Sequence, residues 1–343
     1  MEFIRGWHNI KPQHRGCVAT IGNFDGVHLG HQAVIGQLAE KGQELGLPTQ
    51  VILFEPQPQE FFQPQAAIPR LTRLREKLQA LRRYSVDRVL CLRFDAGFAA
   101  LEPEQFIQRL LVDGLQVRYL VVGDDFRFGR QRRGDFAMLA AAGRKHGFQV
   151  VNMHTVTIDD ERVSSTRIRA ALAGGDLVLA EKLLGRPYRL CGRVAHGDKL
   201  GRTLGFPTAN IHLHRKVTPI KGIFAVEVFG LKTEPIAGAA NIGTRPTVGG
   251  TRTLLEVHLL DFSDDIYGAY VHVNFLRKFR DEKRFDSLDE LRHWIEKDVV
   301  DVRAFFQDYH PARGKNSGRD KNANENSGAN TNVPLSPQGR GRG

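Results

Sequence analysis

Residues 22–31 read Gly-Asn-Phe-Asp-Gly-Val-His-Leu-Gly-His. An apolar, strand-like run precedes them, Cys17 to Ile21. A helix-like run follows, Gln32 to Leu45, with Val34, Leu38 and Leu45 on one face flanked by Ile35 and Ala39. Strand, Gly-rich turn and helix in that order bring backbone N–H groups and a helix N-terminus to the carboxyl end of a strand, where phosphates bind. His28 and His31 lie across this turn, and Gly30 lets a phosphate approach the backbone. Two imidazoles there can donate hydrogen bonds to phosphate oxygens whose charge grows during transfer. The same turn is also a common structural device. A pair of metal-ligand histidines is another reading, but no third ligand follows at a useful spacing. Glycines at 22, 26 and 30 miss the dinucleotide-binding spacing, and no Gly-Lys-Ser/Thr follows.

Outward from this turn, residues 1–184 alternate strand and helix patterns. Apolar runs at Val51–Phe54, Val89–Leu92, Tyr119–Val122 and Phe148–Met153 are separated by helical patterns at 72–84, 103–112 and 135–146. That is a βαβ signature and predicts a mostly parallel sheet. Short helical stretches follow at 166–173 and 176–184. The period changes near Gly185-Arg186-Pro187. Beyond it lie β-rich runs, Tyr188–Val194, Ile223–Val228, Leu254–Leu260 and Tyr270–Phe275, with Gly, Pro and Asn between them. These predict a small antiparallel barrel. Leu288, Leu291, Ile295, Val299, Val302 and Phe306 then predict one amphipathic closing helix. Residues 311–343 are polar, Gly/Asn-rich and aperiodic, which predicts disorder.

At 343 residues and 41% hydrophobic composition, the chain can bury two cores. The formal charge is +11, and six Lys/Arg against two Asp/Glu put +4 of it in residues 311–343. A basic balance suits phosphate-rich ligands and also nucleic acid. The three cysteines, Cys17, Cys91 and Cys191, form no CxxC pair and read as buried thiols in a reducing cytosol. The N-terminal residues show no signal-peptide pattern, and no apolar run reaches the length of a membrane span.

Three further segments carry chemistry in the first half. Phe54-Glu55-Pro56-Gln57-Pro58 ends a strand and reads by itself as a rigid turn. Gly123-Asp124-Asp125-Phe126-Arg127-Phe128-Gly129 sets carboxylates, aromatic faces and a cation at a strand's carboxyl end, the ligand edge of an α/β sheet, or forms a solvated loop. Val163-Ser164-Ser165-Thr166-Arg167-Ile168-Arg169 is a helix cap, and its hydroxyls, N–H groups and arginines also suit a triphosphate. His-x-Gly-His resembles the nucleotidyltransferase superfamily and the class I aminoacyl-tRNA synthetases. The longer form, Asn23 to His31, resembles one family, the bifunctional bacterial riboflavin kinase/FMN adenylyltransferases. The other three segments resemble that family's motifs in order, except that Gln57 replaces a His, which removes a titratable group.

The second half repeats the resemblance. Gly197, Gly201 and Gly205 precede Phe206-Pro207-Thr208-Ala209-Asn210, which is similar to the riboflavin kinase Pro-Thr-Ala-Asn motif. Asn241-Ile242-Gly243-Thr244-Arg245-Pro246-Thr247 matches as well. In Leu254–Leu259, strand alternation puts Leu255, Val257 and Leu259 on one face and Glu256 and His258 on the other. By spacing alone this is equally a half-buried strand with a solvated face. Arg277 and Arg280 lie in a segment similar to the family's flavin side.

The resemblance covers about residues 15–308. It implies a Rossmann-like nucleotidyltransferase α/β domain over 1–184, a riboflavin kinase-like antiparallel barrel closed by a helix over 185–310, and a disordered tail over 311–343. It implies a cytoplasmic enzyme that phosphorylates riboflavin to FMN and adenylylates FMN to FAD, consuming ATP with Mg²⁺. For adenylyl transfer it implies His28 and His31 as catalytic residues. Gly22, Asn23, Phe24, Asp25, Gly30, Ser164, Ser165, Thr166, Arg167 and Arg169 would hold ATP. Phe54, Pro56, Pro58, Asp124, Asp125, Phe126 and Phe128 would hold flavin. In the kinase, Glu256 would be the general base, Gly201, Gly205, Phe206, Pro207, Thr208 and Asn210 would hold ATP, and Thr208 and Asn210 would ligate Mg²⁺. No nucleic-acid or membrane partner is implied, and oligomeric state is not legible. Two rivals remain: a transferase acting on RNA or lipid precursors, which leaves Pro-Thr-Ala-Asn unexplained, and a nucleic-acid-binding protein, which lacks a recognisable module.

Overall fold

The computed structural model describes residues 1–309 apart from Ala67, Asp124, His154, Asp198, Lys199, Lys216, Val248 and Gly249. Strands β1 (Glu2–Arg5), β2 (Cys17–Ile21), β3 (Thr49–Glu55), β4 (Arg88–Arg93), β5 (Val117–Gly123) and β6 (Gln149–Met153) form one sheet in the order β1-β4-β3-β2-β5-β6. Every neighbouring pair is parallel. Strand β2 is buried along its whole length, as a central strand covered on both faces must be. Cys17, Ala19 and Ile21 pack with Ile52, Leu90, Phe106 and Leu110 on one face. Val18 packs with Leu38 and Val121 on the other. The chain leaves β2 toward β3 on one side, while β5 lies on the other, so the strand order reverses beside β2. Ligands of open α/β sheets bind at such a switch point.

The helix Leu29–Leu45 buries Ile35, Leu38 and Gly42, while Leu45 is 43% exposed. The buried stripe therefore runs through 35, 38 and 42 rather than through Val34 and Leu45. Gly42 sets this phase, because a Cβ there would stand 2.9 Å from the Leu47 carbonyl oxygen. The helix can approach the sheet only along its bare side. The other helical patterns appear as Leu74–Leu81, as a turn of α-helix over Pro103–Phe106 that runs on as a π-helix over Ile107–Gly114, and as Phe136–His146.

A two-stranded hairpin, β7 (Thr157–Ile158) and β8 (Glu161–Arg162), precedes the helices Ser165–Gly174 and Leu177–Leu184. Strands β9 (Tyr188–Ala195), β10 (Ala209–His212), β11 (Gly222–Phe229), β12 (Ile236–Thr247), β13 (Gly250–Leu259) and β14 (Tyr270–Arg280) then close an antiparallel barrel in the order β10-β13-β12-β11-β14-β9. Leu190, Val194, Val226, Leu255, Val257 and Val273 fill it. Ile168, Leu172, Leu183 and Leu184 from the two preceding helices belong to the same apolar cluster, so the barrel packs directly on the end of the α/β half. The helix Leu288–Asp308, capped by Ser287, lays Ile295, Val299, Val302 and Phe306 against Ala225, Ala237 and Ala239 on the barrel's outside. Leu288, its first residue, is 60% exposed and is not part of that face. All three cysteines are free and buried. Among the described residues no helix is long and apolar enough to cross a membrane.

Candidate active sites

The carboxyl ends of β2, β3, β5 and β6 open onto a cleft of about 860 Å³. Gly22, Asn23, Phe24, Asp25, His28, Gly30 and His31 line one end of it, beside Ser164, Ser165 and Thr166. Phe54 and Pro58 from the second segment and Asp125, Phe126 and Phe128 from the third line it too. Segments far apart in sequence thus converge on one cavity. Asp124 lies outside the described residues. Pro56 is exposed and does not line the cleft, and its bond to Glu55 is cis. Gln57 is buried and precedes the short helix Pro58–Phe62, with its backbone N–H donating to Glu60 Oε2 at 2.9 Å.

The two histidines are stacked, with ring centroids 3.7 Å apart and planes 18° from parallel. His28 caps the helix Leu29–Leu45: its Nδ1 accepts from the His31 backbone N–H at 3.4 Å. That fixes a tautomer, because an accepting Nδ1 leaves the proton on Nε2, which can donate to a ligand. Burial pushes the His28 pKa down to about 4 against the opposing pull of Asp25. Burial, with His28 and Lys77 adding to it, holds His31 well below the usual imidazole range. Both rings are therefore neutral donors near pH 7. Gly30 makes room for this stack, since a Cβ there would stand 3.2 Å from the His28 ring.

The far end of the cleft carries an aromatic wall. Phe54 meets Phe94 edge-on at 5.9 Å and Phe98 at 5.4 Å. Phe126 and Phe128 stack at 5.7 Å, and Phe62 is 64% exposed at the rim. Phe62, Phe94 and Phe98 are absent from the sequence-based site. They sit on separate elements, and no motif links them. Arg127, Arg132 and Arg162 bring positive charge to the cleft.

Arg167 and Arg169 are placed differently from the expectation. Arg167 turns to the β7–β8 hairpin, donating to the Ile158 and Glu161 carbonyls at 2.8 and 3.0 Å and pairing with the Glu161 carboxylate. Arg169 pairs with Asp25 at 2.6 Å and donates to the Pro69 carbonyl. Asp25 is 2% exposed and also accepts from the Leu71 and Thr72 N–H groups. Asp25 and Arg169 thus brace the turn from behind.

On the barrel, antiparallel register sets Asn210 opposite Glu256, with Asn241 opposite Glu256 on its other side. Leu255, Val257 and Leu259 point into the core, and Glu256 and His258 point outward. His258 Nδ1 donates to the Pro207 carbonyl at 2.9 Å, which ties the Pro-Thr-Ala-Asn segment to β13. Asn210 is 8% exposed, and a Cβ on Gly197 would collide with its amide, so the glycine loop crosses directly over it. A Cβ on Gly201 would stand 3.3 Å from Thr208 Oγ1. Gly205 has φ +90°, a conformation that favours glycine just before Phe206. Arg280 pairs with Asp298 of the terminal helix at 2.5 Å, and Arg277 lies over the Phe279 ring at 5.4 Å.

Fold and sites define a two-domain transferase: a nucleotide-binding α/β sheet with a His-x-Gly-His turn, joined to a closed barrel. The FAD synthetase family profile matches residues 10–167, and the riboflavin kinase profile matches residues 184–306. The bifunctional riboflavin kinase/FMN adenylyltransferase of Escherichia coli K12 is 55% identical over 308 residues, covering 89% of this chain and 98% of its own. The protein of the same description from Haemophilus influenzae is 53% identical, covering 89% and 99%. A crystal structure described as a macrolide-efflux protein from Streptococcus pneumoniae superimposes with a TM-score of 0.74 at 29% identity, covering 88% of this chain and 99% of that one. The chain belongs to the bifunctional riboflavin kinase/FMN adenylyltransferase family.

Proposed function

We infer that the chain phosphorylates riboflavin to FMN in its barrel and adenylylates FMN to FAD in its α/β domain, with ATP as the second substrate of both steps. This reading rests on one cleft that joins a phosphate-binding turn to a wall of phenylalanines. A flat flavin ring suits the wall, and the phosphates of FMN and ATP suit the turn.

In adenylyl transfer an FMN phosphate oxygen bonds to the α-phosphorus of ATP as the bond to pyrophosphate breaks. No covalent enzyme intermediate is needed, so positioning and charge stabilisation carry the rate. His28 donates from Nε2 to the transferring phosphate, His31 stands beside it, and the helix start at Ser164–Thr166 receives the nucleotide. Arg162 lines the cleft, paired with Asp125 at 3.1 Å, whereas Arg167 and Arg169 brace the neighbouring hairpin and the turn, so Arg162 is the arginine of the three placed to meet the β/γ end.

In the kinase, Glu256 takes the proton of the ribityl hydroxyl as that oxygen bonds to the γ-phosphorus and ADP leaves. Asn210 and Thr208 offer neutral oxygens of the kind Mg²⁺ accepts alongside phosphate. The buried Asn241 Oδ1, which has no hydrogen-bond partner among the described residues, adds a further acceptor beside Glu256. Mg²⁺ supplies charge neutralisation at the phosphates when bound. The chain divides into an adenylyltransferase domain over 1–184, a kinase domain over 185–310 and a tail over 311–343, of which residues 310–343 lie outside the described residues. Three free buried thiols favour a reducing, cytoplasmic setting. The basic charge serves phosphate ligands, so RNA binding is weak and vanishes at moderate salt.

Incubation with riboflavin, ATP and Mg²⁺, followed by chromatography, tests the assignment. FMN appears first and FAD follows. Absence of both products would overturn it.

A further inference from the structure

Two consecutive peptide groups connect the barrel to the phosphate turn. The first joins Arg70 to Leu71: its N–H donates to Asp25 Oδ2 at 3.0 Å, and its carbonyl accepts from Arg215 Nη1 at 2.5 Å. The second joins Leu71 to Thr72: its N–H donates to Asp25 Oδ1 at 2.8 Å, and its carbonyl accepts from Arg215 Nη2 at 3.5 Å and from the Tyr188 hydroxyl at 3.4 Å. A carboxylate of the α/β domain and a guanidinium of the barrel thus face each other through two aligned amide dipoles. Hydrogen bonds in such a chain polarise one another, and burial strengthens them. The Arg215 side chain is 3% exposed and also pairs with Glu76. Its planar fork reaches both carbonyls at once, which a lysine's single ammonium does not reproduce.

The relay ends at the turn itself. Thr72 Oγ1 accepts from the Gly26 N–H at 2.9 Å, and Arg186 donates to the Gly26 carbonyl at 2.7 Å. Ser165 Oγ donates to the Asp25 carbonyl at 2.9 Å. Gly26 has φ +87°, and a Cβ there would stand 2.8 Å from Leu71. The backbone two residues ahead of His28 is therefore shaped by residues 71 and 72. Arg215 follows β10, the same short strand that carries Asn210.

We propose that Arg215 of the barrel is a positioning residue for adenylyl transfer in the α/β domain, acting through the Arg70–Thr72 peptides and Asp25 on the His28 turn. The role rests on the α/β cleft being the adenylyl-transfer site. It predicts that the adenylyltransferase is complete only when the barrel is docked against residues 70–76.

The test uses the full chain carrying Arg215→Gln together with Glu76→Gln, so that neither member of the buried Arg215–Glu76 pair keeps its charge alone, and Arg215→Lys as the conservative partner. For the double variant, kcat for FAD formation from FMN falls about tenfold while KM for ATP and FMN stays within about twofold, the signature of a displaced catalytic group. Riboflavin phosphorylation by the same preparation stays within about twofold, and Arg215→Lys falls in between because one carbonyl keeps a donor. Unchanged FAD formation in both variants overturns the proposal. So does a parallel loss of both activities, which would mark a fold defect rather than a positioning role. If the double variant does not fold, Arg215→Lys alone decides by the same ratio. A wild-type chain that makes FMN but no FAD would overturn the adenylyl-transfer assignment as well, which separates the two failures.

Discussion

Asn210 of β10 and Glu256 of β13 stand directly opposite one another across an antiparallel pair. Opposed residues of such a pair hold their Cβ atoms roughly 5 Å apart. The amide proposed as a metal ligand and the carboxylate proposed as general base are thereby held within one substrate's reach by backbone pairing alone.

Replacing Glu256 with Gln keeps the shape and removes the basicity. FMN production should fall by about 10²–10⁴-fold, the usual worth of a general base. FAD formation from supplied FMN should persist, because that chemistry lies in the other domain. Paired assays on one preparation, started from riboflavin or from FMN, check both halves. If Glu256→Gln still phosphorylates riboflavin at near the wild-type rate, His258 on the same face is the next candidate, since an Nδ1 that donates to Pro207 leaves the Nε2 lone pair free to take a proton.

Changing His28 and His31 together to Ala should abolish FAD formation and leave FMN accumulating from riboflavin. Loss of the His28 cap should also cost about 1 kcal/mol of stability. Circular dichroism on the same sample separates that cost from the catalytic loss. Equal loss of both products from a folded protein would contradict the assignment.

The depressed histidine pKa values carry a pH signature. In the unfolded chain an imidazole takes up its proton near pH 6.5, whereas His28 resists until about 4. On acidification the unfolded state binds the proton first. The stabilising contribution is thus present above about pH 6.5 and is lost as pH falls through about 4, amounting to about 3 kcal/mol for His28. Urea melts at pH 7 and pH 5 should show the decline, and His28→Asn should shrink it. FAD formation should stay flat between pH 7 and 8, where neither ring titrates and the FMN phosphate, with its second pKa at about 6, is already a dianion.

Truncation after Ala312 should leave both activities and the melting temperature unchanged, because the composition of the removed residues cannot supply a core. Calorimetry and the two assays check it. A large drop in either would mean that the tail docks on the body.

Contiguous chemistry was legible in the sequence, and convergent chemistry was not. Cys17–Ile21, the His-x-Gly-His turn and the Leu255/Val257/Leu259 alternation are short-range patterns, and each took its expected form. Phe94 and Phe98 reach the cleft only because β4 lies beside β3, a long-range pairing that leaves no local trace. In strand β12, Ile-Ala-Gly-Ala-Ala-Asn-Ile-Gly-Thr-Arg-Pro-Thr, Ala, Gly and Pro dilute the β-branched signal of a strand, and neighbours on both sides supply its pairing. The direction of Arg167 and Arg169 was equally hidden, since Asp25 and the Glu161 hairpin compete with phosphate for them. Residue type announced the charge, and tertiary contacts chose its partner.

In the proposed reading His28 does two jobs with one ring, closing a helix through Nδ1 and serving the ligand from the cleft wall through Nε2. A substitution there is consequently read twice, once by the ligand and once by the seventeen residues of the helix behind it. A residue that caps equally well, such as Ser or Asn, carries no imidazole, and one that donates at the reach of Nε2 does not cap. With both roles on one ring, the position should tolerate substitution less than either role alone would require.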